Sequence, residues 1–157
     1  MIEVSDNELA YTAGIVDGEG CIGIYETKRS GRVAGLYSVV TVTNTNLILL
    51  DWLVSRFGGT YNIHNRVEGQ KTSFVWRLYS RQAANFIEQI LPHLRLKWEQ
   101  AEIVLKLESM KYSRNDKHGF RDLSSCEWTA RYALKDAMNV LNKRGTDTIT
   151  MAKQHNG

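Results

Sequence analysis

Hydrophobic and polar positions along the chain follow two periods, one typical of helices and one typical of strands. A capping-box pattern at residues 5–8, followed by apolar residues at helical spacing, predicts a first helix over about 6–17. Gly18 and Gly20 are expected to end this helix. Over residues 21–27, apolar and polar side chains alternate one by one, which predicts a strand with one buried face.

The later part of the chain repeats this alternation of helical and strand patterns. A strand rich in Val and Thr, a helix closed by two glycines, two further strands and three helices are predicted. Their ranges, in that order, are 36–43, 47–57, 61–67, 72–79, 81–91, 96–110 and 124–143, with a polar loop over 113–121. The resulting order, αββαββαα plus a terminal helix, is typical of an α+β fold.

The length and composition of the chain favour a single domain over residues 1–157. With 157 residues and 43% hydrophobic side chains, it is long enough for one well-packed core and short for two. We predict a core over about 6–112, a helical extension over 113–145 and a polar tail over 146–157. No apolar run reaches the roughly 20 residues of a membrane helix, and no targeting signal is visible.

The two cysteines, Cys21 and Cys126, match neither a disulfide framework nor a zinc-binding spacing. Reduced thiols are therefore expected. A location inside the cell follows from that expectation, in the cytoplasm, the nucleoid or an organelle matrix, with no membrane partner.

Charge is distributed unevenly along the chain. Residues 1–27 contain six acidic side chains and no lysine or arginine, whereas the other 130 residues contain 20 basic and 11 acidic ones, a net charge of +9. A basic body around an acidic segment suits a polyanionic partner, with a metal ion bridging the acid to that partner. Scattered surface charges would give the same totals, so charge alone assigns no partner.

Two carboxylates, Asp17 and Glu19, lie where the first helix is predicted to end. This end of a helix carries partial negative charge, so a nearby carboxylate typically costs about 0.3–1 kcal/mol. Their position indicates a bound cation or a special packing role. Residues 18–23 also fit the dinucleotide pattern Gly-x-Gly-x-x-Gly, but a helix precedes them and a strand follows, the reverse of a phosphate-binding loop. That pattern therefore does not indicate a cofactor-binding module.

The run over residues 12–20, Thr-Ala-Gly-Ile-Val-Asp-Gly-Glu-Gly, resembles the nine-residue motif of the LAGLIDADG homing endonucleases. Glu19 replaces the second aspartate of that motif, and Thr12 replaces its leucine. The element order and the segment over 94–101 are also similar, so the resemblance covers about residues 6–112. It implies an αββαββα core with a twisted four-stranded antiparallel DNA-binding sheet and extra C-terminal helices. Four positions match the motif outright: Ala13, Gly14, Asp17 and Gly20.

The resemblance implies a metal-dependent active site in the last turn of the first helix. Glu19 would bind Mg²⁺ or Mn²⁺, a cation that keeps most of its waters and needs only one or two protein carboxylates. Lys97 aligns with the family's active-site lysine and would stabilise charge at the phosphate or tune the attacking water. Without the resemblance, Lys97 is a solvated lysine at a helix start. Asn44 aligns with a residue that positions water, although asparagine after a strand is often a turn former.

The resemblance also implies that the sheet binds double-stranded DNA in the major groove, where alternate side chains face the base edges. A register error of one residue would reverse each assignment. Arg66 and Arg77 are the best candidates for reading guanine. The loop cations Lys28, Arg29 and Arg32 are expected to contact phosphates. The predicted DNA-facing set is Tyr25, Thr27, Tyr37, Val39, Thr41, Asn62, His64, Arg66, Ser73, Val75 and Arg77.

The motif occurs only once in the chain, which predicts a homodimer. One chain supplies one Glu19, whereas cutting both strands of a duplex requires two active sites, and two identical subunits supply them about a two-fold axis. Small residues let two helices approach closely. The resemblance implies that the motif helices of the two subunits pack together, with Ala13, Gly14 and Asp17 as the interface residues; the alternative for Ala13 and Gly14 is packing within one chain.

The function that the resemblance implies is a site-specific double-strand break with short 3′ overhangs. The target would be long and roughly palindromic, in a gene that lacks the intron or intein encoding the enzyme. A maturase that binds intron RNA and a regulator that binds DNA without cutting it remain alternatives of the same fold. Neither alternative needs the acid at Glu19.

Overall fold

The computed structural model describes residues 3–112 and 123–154. In these ranges, five α-helices and four strands follow one another in the order that the hydrophobic pattern predicts. The elements are α1 (Asp6–Glu19), β1 (Gly20–Arg29), β2 (Arg32–Asn44), α2 (Leu47–Phe57), β3 (Thr60–Asn65), β4 (Ser73–Tyr79), α3 (Ser80–Ile90), a 3₁₀ turn (Leu91–His93), α4 (Trp98–Tyr112) and α5 (Ser125–Gln154).

The strands form one antiparallel sheet in the order β1-β2-β4-β3. Two hairpins, β1–β2 and β3–β4, therefore lie side by side and are joined through β2 and β4. The pairing of β2 with β4 stops at Val39 and Tyr79. The outer part of the first hairpin consequently pairs only within itself, and its turn lies at Ser30 and Gly31, both with positive φ.

The helices cover one face of the sheet and form the core with it. Alternate residues along the central part of the strands point to that face, and seven of them are almost completely buried; each buried aliphatic side chain contributes about 1.5–3 kcal/mol. The strand residues of the core are Ile22, Ile24, Leu36, Val40, Val42, Trp76 and Leu78. The helices meet them with Val16, Leu50, Leu53, Phe86, Ile87, Ile90, Val104, Leu107 and Met138, among others.

The last helix, α5, packs against the core and makes hydrogen bonds with the edge strand β1. Met138 reaches the core, and the side-chain amide of Asn142 donates a hydrogen bond to the carbonyl of Ile22 at 3.0 Å. The hydroxyl of Tyr132 donates to Glu26 Oε1 at 3.2 Å. These contacts occupy part of an edge that would otherwise be unpaired. No helix in the described ranges is both long and apolar enough to cross a membrane.

Most element boundaries lie within two residues of the predicted ones. The largest differences are at β2, which begins four residues before its predicted start at residue 36, and at the end of α5. α1 runs two residues further than predicted, which makes Glu19 its last residue. α4 begins at Trp98, because the backbone N–H groups just before it bind Asp17. α5 continues through Gly145 into the predicted polar tail, as far as Gln154. The predicted loop over 113–121 lies outside the described residues.

Candidate functional site

The last turn of α1 and the first residue of β1, residues 17–20, form what we call the acidic corner. Glu19 is exposed to solvent. Gly20 turns the chain directly from helix to strand, and its N–H donates to the carbonyl of Val16. A Cβ at Gly20 would lie 2.8 Å from both the Cα and the carbonyl oxygen of Val16, so only glycine fits this turn. The turn therefore holds Glu19 at the junction of helix and sheet.

Asp17 and Lys97 join the end of α1 to the start of α4. The carboxylate of Asp17 accepts hydrogen bonds from the backbone N–H groups of Arg95 at 2.7 Å, Leu96 at 3.2 Å and Lys97 at 3.0 Å. In return, Lys97 Nζ donates to the carbonyl oxygens of Val16 at 2.7 Å and Asp17 at 2.6 Å. We call these reciprocal contacts the Asp17–Lys97 clasp.

The clasp explains how two carboxylates are tolerated at the C-terminal end of a helix. It supplies a cation to the free carbonyls of the last turn, where partial negative charge accumulates. Burial lowers the pKa of Lys97, and the nearby Asp17 carboxylate opposes that shift. The ammonium uses two of its three N–H donors on these carbonyls. Asp17 is thus structural, whereas the predicted phosphate contact of Lys97 stays a prediction.

Asn44, at the end of β2, is the hydrogen-bonding neighbour of Glu19. Its Nδ2 donates to Glu19 Oε2 at 2.5 Å, and its Oδ1 accepts from the backbone N–H of Asn46 at 2.8 Å. Asn46 in turn caps α2 by accepting from the N–H of Ile48 at 3.0 Å. Because its carbonyl oxygen is already bound to a donor, the amide of Asn44 must turn its NH₂ group toward Glu19. This contact orients the carboxylate, a role different from the water-positioning one predicted for Asn44.

The acidic corner offers a hard oxygen ligand but not a complete metal cage. No group of three or more His, Cys, Asp or Glu side chains that could hold a metal ion occurs in the described part of the chain. Asn44 binds one carboxylate oxygen of Glu19, and the other accepts no hydrogen bond from the described residues. Mg²⁺ and Mn²⁺ fit such a site, because they combine one or two carboxylates with waters and substrate phosphates.

The face of the sheet opposite the helices, here called the open face, carries the predicted DNA-facing side chains. The strand register places Tyr25 opposite Tyr37, and Thr41 opposite Arg77. Arg66 lies one residue beyond β3, in the connection to β4. The predicted strand residues that share the open face are Tyr25, Thr27, Tyr37, Val39, Thr41, Asn62, His64, Ser73, Val75 and Arg77.

Two members of this set, Val39 and Val75, are almost completely buried. Both point to the open face, but they are only 6% and 3% exposed. Val39 lies directly opposite the larger Tyr79 in the strand register. The two valines therefore form the floor of the face and do not project from it, so their predicted DNA contacts stay a prediction. Alternation predicts the side of a sheet, but not how far a side chain stands above its neighbours.

Thr43 and Tyr79 also belong to the open face, although the predicted set does not include them. They line the same hollow of about 290 Å³ as Tyr37 and Arg77. Extending the two-residue alternation by one step beyond Thr41 and Arg77 predicts both.

Positive charge on the open face is concentrated at the tips of the two hairpins. Lys28, Arg29 and Arg32 are exposed at the first tip, and Arg66 is exposed at the second. Between the tips, Arg77 is the only lysine or arginine among the strand residues of this face. Its half-buried guanidinium makes no hydrogen bond or ion pair with the described residues. A partly buried cation without a partner indicates a ligand that supplies hydrogen-bond acceptors.

The exposed side of α1 is a stripe of small residues, Ala10, Gly14 and Gly18, spaced four apart. A Cβ added at Gly14 or Gly18 would meet no atom within 4 Å. Ala13, by contrast, is fully buried in the core, and both oxygens of Asp17 bind its own chain. Ala13 therefore packs within its own chain, whereas Gly14 is exposed. The role of Gly14 and Asp17 in a dimer interface stays a prediction.

Several solved structures with a similar architecture are homing endonucleases bound to DNA. I-CvuI in complex with its target matches with a TM-score of 0.67 and 22% identity, over 86% of this chain and 82% of that chain. An archaeal intron-encoded homing endonuclease complexed with DNA matches with a TM-score of 0.66 and 15% identity, over 87% and 84% of the two chains. The chain has the fold of the LAGLIDADG homing endonucleases. No family model and no curated protein matches the sequence.

The LAGLIDADG fold accounts for more of the chain than the sequence resemblance does. Coverage of 86% exceeds the span of residues 6–112, so the structural likeness includes part of the chain outside the predicted core. I-SmaMI bound to its uncleaved DNA target matches with a TM-score of 0.64 and 20% identity, over 87% of this chain but only 45% of that chain. This chain therefore corresponds to about half of I-SmaMI and to most of I-CvuI.

Proposed function

We propose that this protein is a site-specific DNA endonuclease of the homing type, which acts as a homodimer inside the cell and makes a metal-dependent double-strand break. The observation that carries the proposal is the position of Glu19. Its exposed carboxylate is oriented by Asn44 at the edge of an open sheet face that carries no acidic residue. A cation-binding acid next to a surface that accepts polyanions is the arrangement that metal-assisted phosphodiester hydrolysis requires.

The open face supplies the DNA-binding surface. The major groove of B-DNA is about 12 Å wide and admits a two-stranded β-ribbon, so each hairpin fits it. The cations at the hairpin tips, Lys28, Arg32 and Arg66, are placed for phosphates, which position the protein without reading sequence. The ten residues of β1 span about 33 Å. That length corresponds to roughly nine or ten base pairs per half-site, which supports a long target.

Glu19 and its two neighbours, Asn44 and Lys97, have separate tasks in this proposal. Glu19, with DNA phosphates, would hold Mg²⁺ or Mn²⁺, which supplies charge stabilisation and an activated water when bound. Asn44 holds the carboxylate of Glu19 in one orientation. Lys97 places a positive charge beside the last turn of α1 and keeps one N–H donor for a phosphate oxygen.

One chain carries one acidic corner, so two chains are required to cut both strands. The stripe of small residues on α1 leaves room for a second helix to approach closely. Two corners related by a two-fold axis would act on a roughly palindromic site. The cut across the minor groove would leave short 3′ overhangs. Two proteins of similar fold support this proposal: I-CvuI binds its DNA target, and the archaeal enzyme that binds DNA is encoded in an intron. The target would accordingly lie in a gene that lacks the intron or intein encoding this enzyme.

The test uses DNA made by joining the sequences that flank the coding region. The wild-type protein is expected to cut it in Mg²⁺ or Mn²⁺ and to lose activity in a chelator. Glu19→Gln keeps the size of the side chain but removes its charge, so it should abolish cleavage while the Kd for DNA changes little. Glu102→Gln, at an exposed position of α4, is the matched control and should cut normally. Undiminished nicking by Glu19→Gln would overturn the proposal.

A further inference from the structure

Three tyrosines form a continuous row across the open face. The ring centroids of Tyr25 and Tyr37 lie 6.0 Å apart, and those of Tyr37 and Tyr79 lie 6.1 Å apart. The row crosses β1, β2 and β4, and two of its members are about half exposed: Tyr25 is 46% and Tyr79 is 47% exposed. Such large apolar surfaces face solvent on the side of the sheet where the helices provide no cover.

The backbone beneath the row is shaped to hold one of its rings. A Cβ at Gly23 would lie 2.8 Å from Cε2 of Tyr25 and 3.1 Å from its hydroxyl oxygen, so the hydroxyl end of this ring lies against Gly23. Val39, next to Gly23 in the register, forms the floor at this level. Burial raises the pKa of Tyr25, so its phenol stays neutral near neutral pH. The row is therefore an uncharged surface, and the backbone at Gly23 restrains the ring of Tyr25.

The chemistry of this surface differs from that of its surroundings. Lysines and arginines lie at the first hairpin tip on one side of the row, and Arg77 lies on the other side. The row itself offers aromatic carbon and hydroxyl groups only. In the major groove, thymine is the base that presents an apolar group, the C5-methyl, whereas guanine presents two acceptors that suit arginine. An aromatic surface thus favours the thymine methyl group and lacks the bidentate cation that best reads guanine.

The position of the row along the DNA follows from strand geometry. Tyr25 is five residues from Gly20, about 17 Å along β1. One base step along a DNA strand is about 3.4 Å, so the row lies on the order of five base pairs outward from the acidic corner. Arg77 lies nearer the corner, because it is paired with Thr41, which is paired in turn with Cys21, four residues before Tyr25 on β1.

We infer that the row Tyr25–Tyr37–Tyr79 determines specificity for thymine methyl groups in a block of each half-site about five base pairs from the cut. This inference rests on the proposed function, because it assigns a specificity to the same DNA-binding surface. Each half-site would then contain two parts: a block of base pairs chosen for their thymine methyl groups, and a neighbouring position that Arg77 reads.

The experiment begins with wild-type protein and a randomised duplex library, from which bound sequences are selected in the absence of divalent metal. Thymine should be enriched in one block of each half-site. Each enriched thymine is then replaced by deoxyuridine, which removes only the methyl group. The Kd should rise about three- to fourfold per methyl within the block. The same replacement at thymines outside the block should leave the Kd unchanged.

Matched variants connect the methyl effect to the row. Tyr37→Phe keeps the aromatic surface and should retain the preference for thymine over deoxyuridine, whereas Tyr37→Ser should lose it. Thermal unfolding of both variants shows whether a lost preference for thymine is only a loss of fold. The deoxyuridine replacements are measured on the wild-type protein, so they test the inference even where a variant fails to fold. A selected target whose block is indifferent to the methyl group, or rich in guanine, would overturn this inference alone. Selection of no sequence at all would overturn it together with the proposed function.

Discussion

At the scale of single residues, the proposed chemistry depends on how one exposed carboxylate is held. A glutamate at the end of a helix can adopt many rotamers, and fixing one of them costs conformational entropy. The amide of Asn44 restricts Glu19 through one hydrogen bond, and Asn46 fixes that amide in turn. Residues that orient a metal ligand in this way typically affect metal affinity or activity by 10- to 100-fold. Asn44 is therefore a positioning residue that acts through Glu19.

Removing the amide with Asn44→Ala is expected to slow cleavage about 10- to 100-fold and to raise the Mg²⁺ concentration needed for half-maximal rate. The reason is that Glu19 then samples orientations unsuited to the metal. Cleavage rates over a Mg²⁺ titration provide the measurement, with the Kd for DNA without metal as the second readout. That Kd should not change, because Asn44 lies at the corner and not on the open face.

Asn44→Gln retains an amide and should recover part of the lost activity. Asn85→Ala, at an exposed position of α3, is the control for a general effect of losing an asparagine. A uniformly slow Asn44→Ala enzyme with an unchanged Mg²⁺ requirement would show that Asn44 acts on water or substrate and not through Glu19.

At the scale of elements, the Asp17–Lys97 clasp connects two helices that are far apart in sequence. Asp17 receives three backbone donors at the start of α4, and Lys97 returns two donors to the end of α1. Hydrogen bonds to charged groups are each worth about 1.5–3 kcal/mol in favourable cases. The clasp therefore holds the end of α1, which carries the acidic corner, against the start of α4.

The substitution Asp17→Asn is expected to lower the free energy of unfolding by about 1–3 kcal/mol. An amide presents one acceptor oxygen where the carboxylate presents two, and its NH₂ group would face other N–H donors. Urea unfolding measures the change, and Asp136→Asn on the exposed side of α5 should stay within about 0.5 kcal/mol of wild type. Combining Asp17→Asn with Lys97→Met should cost less than the two single changes added, because both belong to one network. Strict additivity would show that the two side chains act independently.

Local signals predicted elements well, and contacts between distant residues explain the differences. α2 occupies its predicted range because Asn46 caps one end and Gly58 closes the other, both adjacent in sequence. The start of α4 was predicted at residue 96, and it lies at Trp98 because of Asp17, a partner about 80 residues earlier. A capping contact across such a distance leaves no local pattern in the sequence.

The candidate site divides in the same way. Glu19 was predicted from its own motif, whereas the contact of Asn44 with Glu19 depends on how β2 ends beside α1. The strand period placed Thr41 and Arg77 on the correct face, but the depth of Val39 depends on its neighbour across the sheet. Sequence thus predicts which residues face the site, and packing decides which of them can reach a ligand.

At the scale of the whole molecule, one chain is one subunit of the proposed homodimeric endonuclease. Two strongly exposed apolar side chains belong to segments that are hydrogen-bonded to the acidic corner: Ile48 is 79% exposed and Leu96 is 70% exposed. Ile48 is linked to Glu19 through Asn46 and Asn44, and the backbone of Leu96 binds Asp17. In the proposed dimer, a second copy would bury the small-residue stripe and side chains of this kind. Burial there would also bring two Glu19 carboxylates to one region of the DNA.

A bulky substitution in the small-residue stripe should impair dimerisation without impairing the folding of the chain. Gly14→Leu starts its side chain in open space, because Gly14 is exposed and an added Cβ meets nothing within 4 Å. Replacing glycine inside a helix should also raise the stability of the monomer by about 0.5–1 kcal/mol. The leucine would nevertheless keep two helices from approaching closely. The variant is therefore expected to fold, to sediment as a monomer, and to lose double-strand cleavage.

Sedimentation and a plasmid assay that distinguishes nicked from linear DNA measure the two effects together. Ala130→Leu, which enlarges an exposed small residue of α5 away from the stripe, should remain dimeric and cut both strands. Nicking without linearisation by Gly14→Leu would indicate that one acidic corner still works on one strand. A Gly14→Leu monomer that linearises DNA at the wild-type rate would contradict the proposed symmetry, because two cuts would then come from a chain with a single Glu19.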